Sequence, residues 1–150
     1  MTLGTILVAI GPEDTDRSDE IIETFLEVAK PADATVVLAH IFMDEEYNQR
    51  LSQLEFDTSR EAINPDQVAE RYTVMQDLRP TLDAAGLEYE IRGAVGEQGP
   101  KIVDVATETD ADRVIVAGRN RSPVGKAVFG STAQGVLLSS PCPVTFVCLN

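Results

Sequence analysis

"VIVAGRNRSPVGKAVFGSTAQ", Val114–Gln134, begins like a buried strand and ends like the first turn of a helix. Val114, Ile115 and Val116 are β-branched, and Gly118 stops the apolar run. Arg119, Arg121 and Lys126 follow, interleaved with Ser122-Pro123 and Gly125, before Gly130-Ser131-Thr132 opens the next segment. A strand that passes through a glycine-rich turn into a helix is half of a β-α-β unit. The flanking segments therefore decide whether the chain repeats that unit.

They do. Arg113–Ala117 is read as the fourth strand. After the quoted stretch, a helix from Ser131/Thr132 to about Ser139 is ended by Pro141-Cys142-Pro143, and Val144–Leu149 is a fifth strand. Upstream, Thr5–Ile10 is a short β-branched run closed by Gly11-Pro12. A helix follows to about Ala29, with Asp14, Asp16 or Ser18 as its cap and Ile21, Ile22, Phe25, Leu26, Val28 and Ala29 at helical spacing. Pro31–Asp33 is a turn and Ala34–Phe42 the second strand. Met43–Asn64 is polar with scattered apolar residues, compatible with a helix and a loop. Asn64-Pro65 caps a helix carrying Val68, Tyr72, Met75, Leu78 and Leu82, which Pro80 is expected to kink or split before Gly86 closes it. Leu87–Val95 is the third strand, Gly96 a turn, and a helix with Pro100 near its start runs to about Thr109. Strands and helices alternate, and most strands are continuously apolar. The chain therefore folds as one α/β domain, a doubly wound five-stranded parallel sheet sandwiched by helices.

The 150 residues suit a single core. The 25 acids and 12 bases leave a net charge of −13, a field that repels nucleic acid and anionic lipid. With only Lys30, Lys101 and Lys126 as lysines, the composition matches adaptation to a salty cytoplasm. No apolar run approaches the ~18 residues of a membrane span, and the first residues lack a secretory pattern, so a cytoplasmic protein is expected. Cys142 and Cys148, six residues apart in one strand, would lie roughly 20 Å apart. That is beyond the reach of a disulfide, and both are read as buried thiols.

Against this acidic background, no Asp or Glu occurs after Arg113, where simple proportion would put about six. Strand burial explains part of the gap, but not the loop or the start of the helix, where acids usually complement the dipole. A glycine, two hydroxyls, uncompensated amides and three nearby cations are the needs of a phosphate site. The alternative is an ordinary helix cap flanked by solvated arginines. A Walker A loop does not fit: Gly125-Lys126 would put Asn120 at the first glycine and Ala127 at the Ser/Thr position. A dinucleotide fingerprint is absent near the first strand, where Gly11 stands alone. His40, the single histidine, is read as structural, and Glu45-Glu46 as a solvated face. Glu13, Asp14 and Asp16 are read as a solvated cap, with Mg²⁺ beside a nucleotide as the alternative.

Gly118, Gly130-Ser131 and the closing Pro141-Cys142-Pro143-Val144 resemble the signature of the universal stress protein (UspA-like) family. Ile6–Ile10, Leu38–Ile41 and Val95-Gly96 resemble its other landmarks, so the likeness covers the whole chain. Arg121 stands where that signature has a second glycine, and Gly11 where ATP-binding members have an acid for the ribose. The resemblance implies an adenine nucleotide alpha hydrolase-like fold with strand order 3-2-1-4-5. It implies ATP or a related adenine nucleotide between the first and fourth strands. Ile10, Gly11, Ile41, Val95 and Gly96 would lie along base and ribose. Gly118, Gly130, Ser131 and Thr132 would surround the phosphates, and Arg119, Arg121 and Lys126, with Ser122 and Gly125 of the same loop, would supply a grip that the family pattern leaves to backbone. It also implies a homodimer through Val144–Leu149, a stress-response role and a protein partner yet to be identified. No general base or nucleophile is evident in the sequence, so an enzyme is not expected beyond slow ATP hydrolysis using Asp14 and Asp16. A nucleotide-free interaction module of the same fold is the other reading.

Overall fold

Ile6, Val8 and Ile10 pack on one side of the first strand while Leu7 and Ala9 pack on the other. A strand with both faces covered must read as a continuous apolar run, and this one does. In the computed structural model, residues 3–11, 18–53, 64–71, 73–119 and 131–149 are described. The strands are β1 (Thr5–Ala9), β2 (Thr35–Phe42), β3 (Tyr89–Val95), β4 (Arg113–Arg119) and β5 (Val144–Leu149). All described pairings are parallel, and the order is β3-β2-β1-β4-β5. The doubly wound sheet read from the sequence is the fold observed.

Six described helices cover the sheet: α1 (Ser18–Ala32), α2 (Asp44–Gln53), α3 (Pro65–Glu70), α4 (Thr73–Ala84), α5 (Gln98–Glu108) and α6 (Ser131–Ser139). Ile21, Phe25 and Ala29 of α1 join Val68 of α3 and Met75, Leu78 and Leu82 of α4 on one face. Ile102, Val105 and Ala106 of α5 and Val136 of α6 cover the other. Among the described residues no helix is long and apolar enough to cross a membrane.

Three helices end in the same device. In α1, α4 and α5 a residue one or two positions past the helix has positive φ: Asp33 at 51°, Gly86 at 71° and Asp110 at 51°. The next amide reaches back five residues, from Ala34 to Ala29, Leu87 to Leu82 and Ala111 to Ala106, each at 2.9–3.1 Å. This is the Schellman geometry, with an apolar contact pinning the exit toward the following strand. Gly86 was legible as such a terminator; Asp33 and Asp110 were legible only as turns. Asp112 then fastens the start of β1, accepting the Gly4 and Thr5 amides on Oδ2 at 2.9 and 3.1 Å.

Several expectations need correction. α1 continues through Pro31 to Ala32, so the turn is Asp33 and not Pro31–Asp33. The expected break at Pro80 lies instead at Arg71, the C-cap of α3, and α4 runs through Pro80. α3 docks against β3, where Asp66 Oδ1 accepts the Gly93 amide at 2.7 Å. Asn64 does cap α3, exchanging side-chain and backbone bonds with Gln67 in a full capping box. The 43–64 region contributes α2. Cys142 lies in the bend before β5, half-buried, with its carbonyl accepting Ser140 Oγ–H at 2.7 Å, so it is neither buried nor within the strand. The Cys148 side chain, Tyr72, and the capping residues Asp14 and Asp16 lie outside what is described.

Candidate functional site

The site grows out of a difference in strand length. β1 pairs with β2 from Thr5↔Thr35 to Ala9↔Ala39. Its pairing with β4 covers only Ile6↔Arg113 to Val8↔Ile115. β4 then continues beside β5 as far as Arg119↔Leu149. Past Val8 the two central strands therefore separate, and a crevice opens at their carboxyl ends. Strand order reverses at this point, where ligands of open α/β sheets bind.

Ala9, Ile10 and Gly11 line one wall of that crevice, Val116 and Ala117 the other, with Ala39 and Ile41 of β2 alongside. Small side chains leave the space. Gln98 and Ile102 of α5 and Thr132 and Ala133 of α6 complete the lining. The lining side chains are mostly apolar, with Gln98 and Thr132 as the polar ones and the ends of strands supplying backbone groups.

Two helix N-termini meet here. A Cβ placed on Gly99 would lie 3.6 Å from the Thr132 carbonyl oxygen and 3.9 Å from the Cα of Gly135. Glycine on both helices lets the first turns of α5 and α6 pack backbone to backbone. Neither first turn contains an acid, and the N-cap residue Glu97 makes no side-chain capping bond. Both positive dipole ends are left uncompensated by acids of their own first turns. The α6 start was read from the sequence; Gln98 and the α5 start were missed. The signal for them was the acid-free Gln98-Gly99-Pro100.

Of the residues singled out in the sequence, Ile10, Gly11, Ile41 and Thr132 come together in the crevice. Val95 lines a different groove, between α3 and α5, with Asp66 and Lys101. Gly96 follows it at a φ of +145°, its amide donating to the Phe42 carbonyl at 2.9 Å. Gly118 is on β4, where an added Cβ would come within 3.0–3.1 Å of the Phe146 ring. Its lack of a side chain serves packing on β5. Arg119 and Ser131 belong to β4 and α6, but their side chains are outside the described set. Arg121, Ser122, Gly125, Lys126 and Gly130, with the acids Glu13, Asp14 and Asp16, lie outside the described residues altogether. Among the described residues, no group of three or more His, Cys, Asp or Glu side chains is placed to hold a metal ion.

His40 is fully buried on β2, as a structural histidine should be, but Glu46 is not merely a solvated acid. Nδ1 lies 2.7 Å from the Ile10 carbonyl oxygen, and Nε2 lies 2.9 Å from Glu46 Oε1. The ring meets Phe42 edge-on at 4.4 Å, and Tyr47 of α2 packs against the other side of this small aromatic group, 5.6 Å from Phe42. Desolvation by burial raises the Tyr47 phenol above its usual value, which keeps it neutral.

Fold and strand order define a class, the doubly wound parallel α/β sandwiches with a crevice at the central switch point. Residues 2–147 match the Universal stress protein family, and the chain belongs to that family. A universal stress protein of Mycolicibacterium smegmatis is 36% identical over 74 residues, which span 49% of this chain and 57% of that relative. A universal stress protein solved in complex with cAMP superposes with a TM-score of 0.64 at 20% identity, covering 98% of both chains. One from Archaeoglobus fulgidus, in complex with dAMP, gives 0.64 at 21% identity over 98% of this chain and 99% of its own.

Proposed function

We propose that this chain binds an adenine nucleotide in the crevice between β1 and β4 and acts as a dimeric stress-response regulator in the cytoplasm. The observation that carries the reading is the meeting of Ile10, Gly11, Ile41 and Thr132, drawn from two strand ends and a helix start, around one slot at the switch point. The base lies on the small apolar floor. The phosphates point to the α6 start; Arg119 at the end of β4, with Arg121 and Lys126 after it in sequence, supplies positive charge. The cAMP and dAMP complexes of fold neighbours support an adenine ligand. ATP, with Mg²⁺ on its phosphates, is the form that makes most use of three cations. Pairing of β5 with a second copy gives the dimer, and ordering of the loop after β4 gives a surface for a protein partner.

Gly11 provides no carboxylate for a ribose, which favours a second reading, a nucleotide-free interaction module. Titration calorimetry with ATP, AMP and adenosine separates the two. The first reading expects saturable heat with all three, and an Arg121→Ala, Lys126→Ala double variant that loses about tenfold or more for ATP while adenosine changes little. No heat at millimolar nucleotide supports the module. Equal losses for ATP and adenosine sink the assignment of the cations to phosphate. Steady phosphate release abolished by Asp14→Asn with Asp16→Asn reveals an ATPase instead.

A further inference from the structure

We propose that His40 is the positioning residue of the crevice: a clamp that joins α2 to the end of β1 and holds the Ile10–Gly11 wall where a nucleotide meets it. The inference rests on the adenine-nucleotide reading for its functional consequence, while the clamp itself is a matter of protons and bonds.

Ile10 is the first residue beyond β1, and the pairing of β1 with β4 has already ended at Val8. Two bonds from β2 hold it. Its amide donates to the Ala39 carbonyl at 2.8 Å, and its carbonyl lies 2.7 Å from His40 Nδ1. A carbonyl only accepts, so Nδ1 carries a proton. The Nε2–Glu46 contact at 2.9 Å then needs one further proton between ring and carboxyl, whichever of them holds it. Without that proton a lone pair would face a carboxylate inside the protein. The Ile10 carbonyl thus fixes the proton on Nδ1, Glu46 tethers the other ring nitrogen, and Phe42 packs edge-on against the ring.

His40 itself does not reach the ligand. From β2, Ala39 and Ile41 line the crevice, whereas His40, like Leu38 and Phe42, belongs to the opposite face of the strand. It acts through the Ile10 carbonyl. The clamp also makes the crevice wall answer to the position of α2, which carries Glu46.

His40 is the only histidine in the chain, so its ¹⁵N signals are unambiguous. NMR of the full chain is expected to show a protonated Nδ1 whose hydrogen exchanges slowly; an unprotonated Nδ1 overturns the clamp. Calorimetry with AMP reads the functional half. Glu46→Ala and His40→Phe are each expected to weaken AMP by about fivefold to tenfold. Glu46→Gln restores affinity to within about twofold, because its amide N–H donates to Nε2 of a neutral ring and preserves Nδ1–H. Unchanged AMP affinity in Glu46→Ala, or failure of Glu46→Gln to rescue, overturns the proposal. Glu46 is 22% exposed, so its variants remain informative if His40→Phe does not fold. Should the wild-type chain bind no AMP, the nucleotide reading fails by itself. Amide exchange at Gly11 then judges the clamp: faster exchange in Glu46→Ala, reversed in Glu46→Gln, supports it, and no change overturns it.

Discussion

The two edges of the sheet are treated in opposite ways. At the β3 edge, α3 lies directly against the strand, with Asp66 Oδ1 taking the Gly93 amide at 2.7 Å. The approach is so close that a Cβ on Gly93 would lie 2.2 Å from the Pro65 carbonyl oxygen. At the β5 edge, no strand pairs on the outer side among the described residues, and Val144, Thr145 and Phe146 are only half-buried. On α6, which packs against β5, Leu138 is 79% exposed. An unprotected edge invites pairing with another chain, and a protein that caps one edge while leaving the other open has restricted where that pairing takes place. For the dimer proposed above, the difference favours β5 over β3 as the seam.

Breaking the sealed edge is expected to have the largest effect. Gly93→Ala sets a methyl group against backbone that cannot rotate away. α3 must lift, at a cost of about 2–3 kcal/mol, read by urea denaturation. A loss below about 0.5 kcal/mol would mean that α3 is not seated as described. Next is the open edge: Val144→Lys is expected to raise the dimer dissociation constant at least about tenfold in sedimentation equilibrium, with the fold retained by circular dichroism. If the wild-type chain is a monomer, or the variant dimerises equally well, β5 is not the seam. Smallest is Gly118→Ala, which presses on Phe146 from within the sheet. About 0.5–1 kcal/mol of stability should be lost, because the ring has room to yield toward the partly exposed side. A loss as large as that of Gly93→Ala would show the β5 side to be as tightly built as the β3 side.

Much of this was legible beforehand, and the reasons differ by element. The strands could be read because burial on both faces forces continuous apolar runs such as Ile6–Ile10. Helix ends were read less well. Gly86 announces a left-handed residue because glycine adopts it freely, whereas Asp33 and Asp110 do the same work without that signature. Pro80 misled because a proline inside a periodic pattern normally marks the break, yet the chain divides at Arg71, the C-cap of α3, and α4 runs through Pro80. In the site, Thr132 and the α6 start were found through their acid-free, glycine-containing sequence, whereas Gly118, read for the phosphates, packs against Phe146. Gln98 was not, because its place in the crevice depends on Gly99 and Gly135 bringing two helices together across 36 residues of chain. Glu46 was taken for a solvated acid because nothing in its neighbourhood along the chain reveals that a buried ring waits for it.

Composition and periodicity by themselves determined the layers of this protein, the parallel sheet and the end of the sheet at which to look for a ligand, since burial pattern and turn chemistry are local properties. Tertiary structure alone decided where β1 and β4 part, which glycines face backbone and which face a ring, which edge α3 covers, and that His40 joins Ile10 to Glu46. Those features depend on atoms brought together from distant parts of the chain, and a hydrogen bond or steric contact is defined by distance in space rather than by separation in sequence.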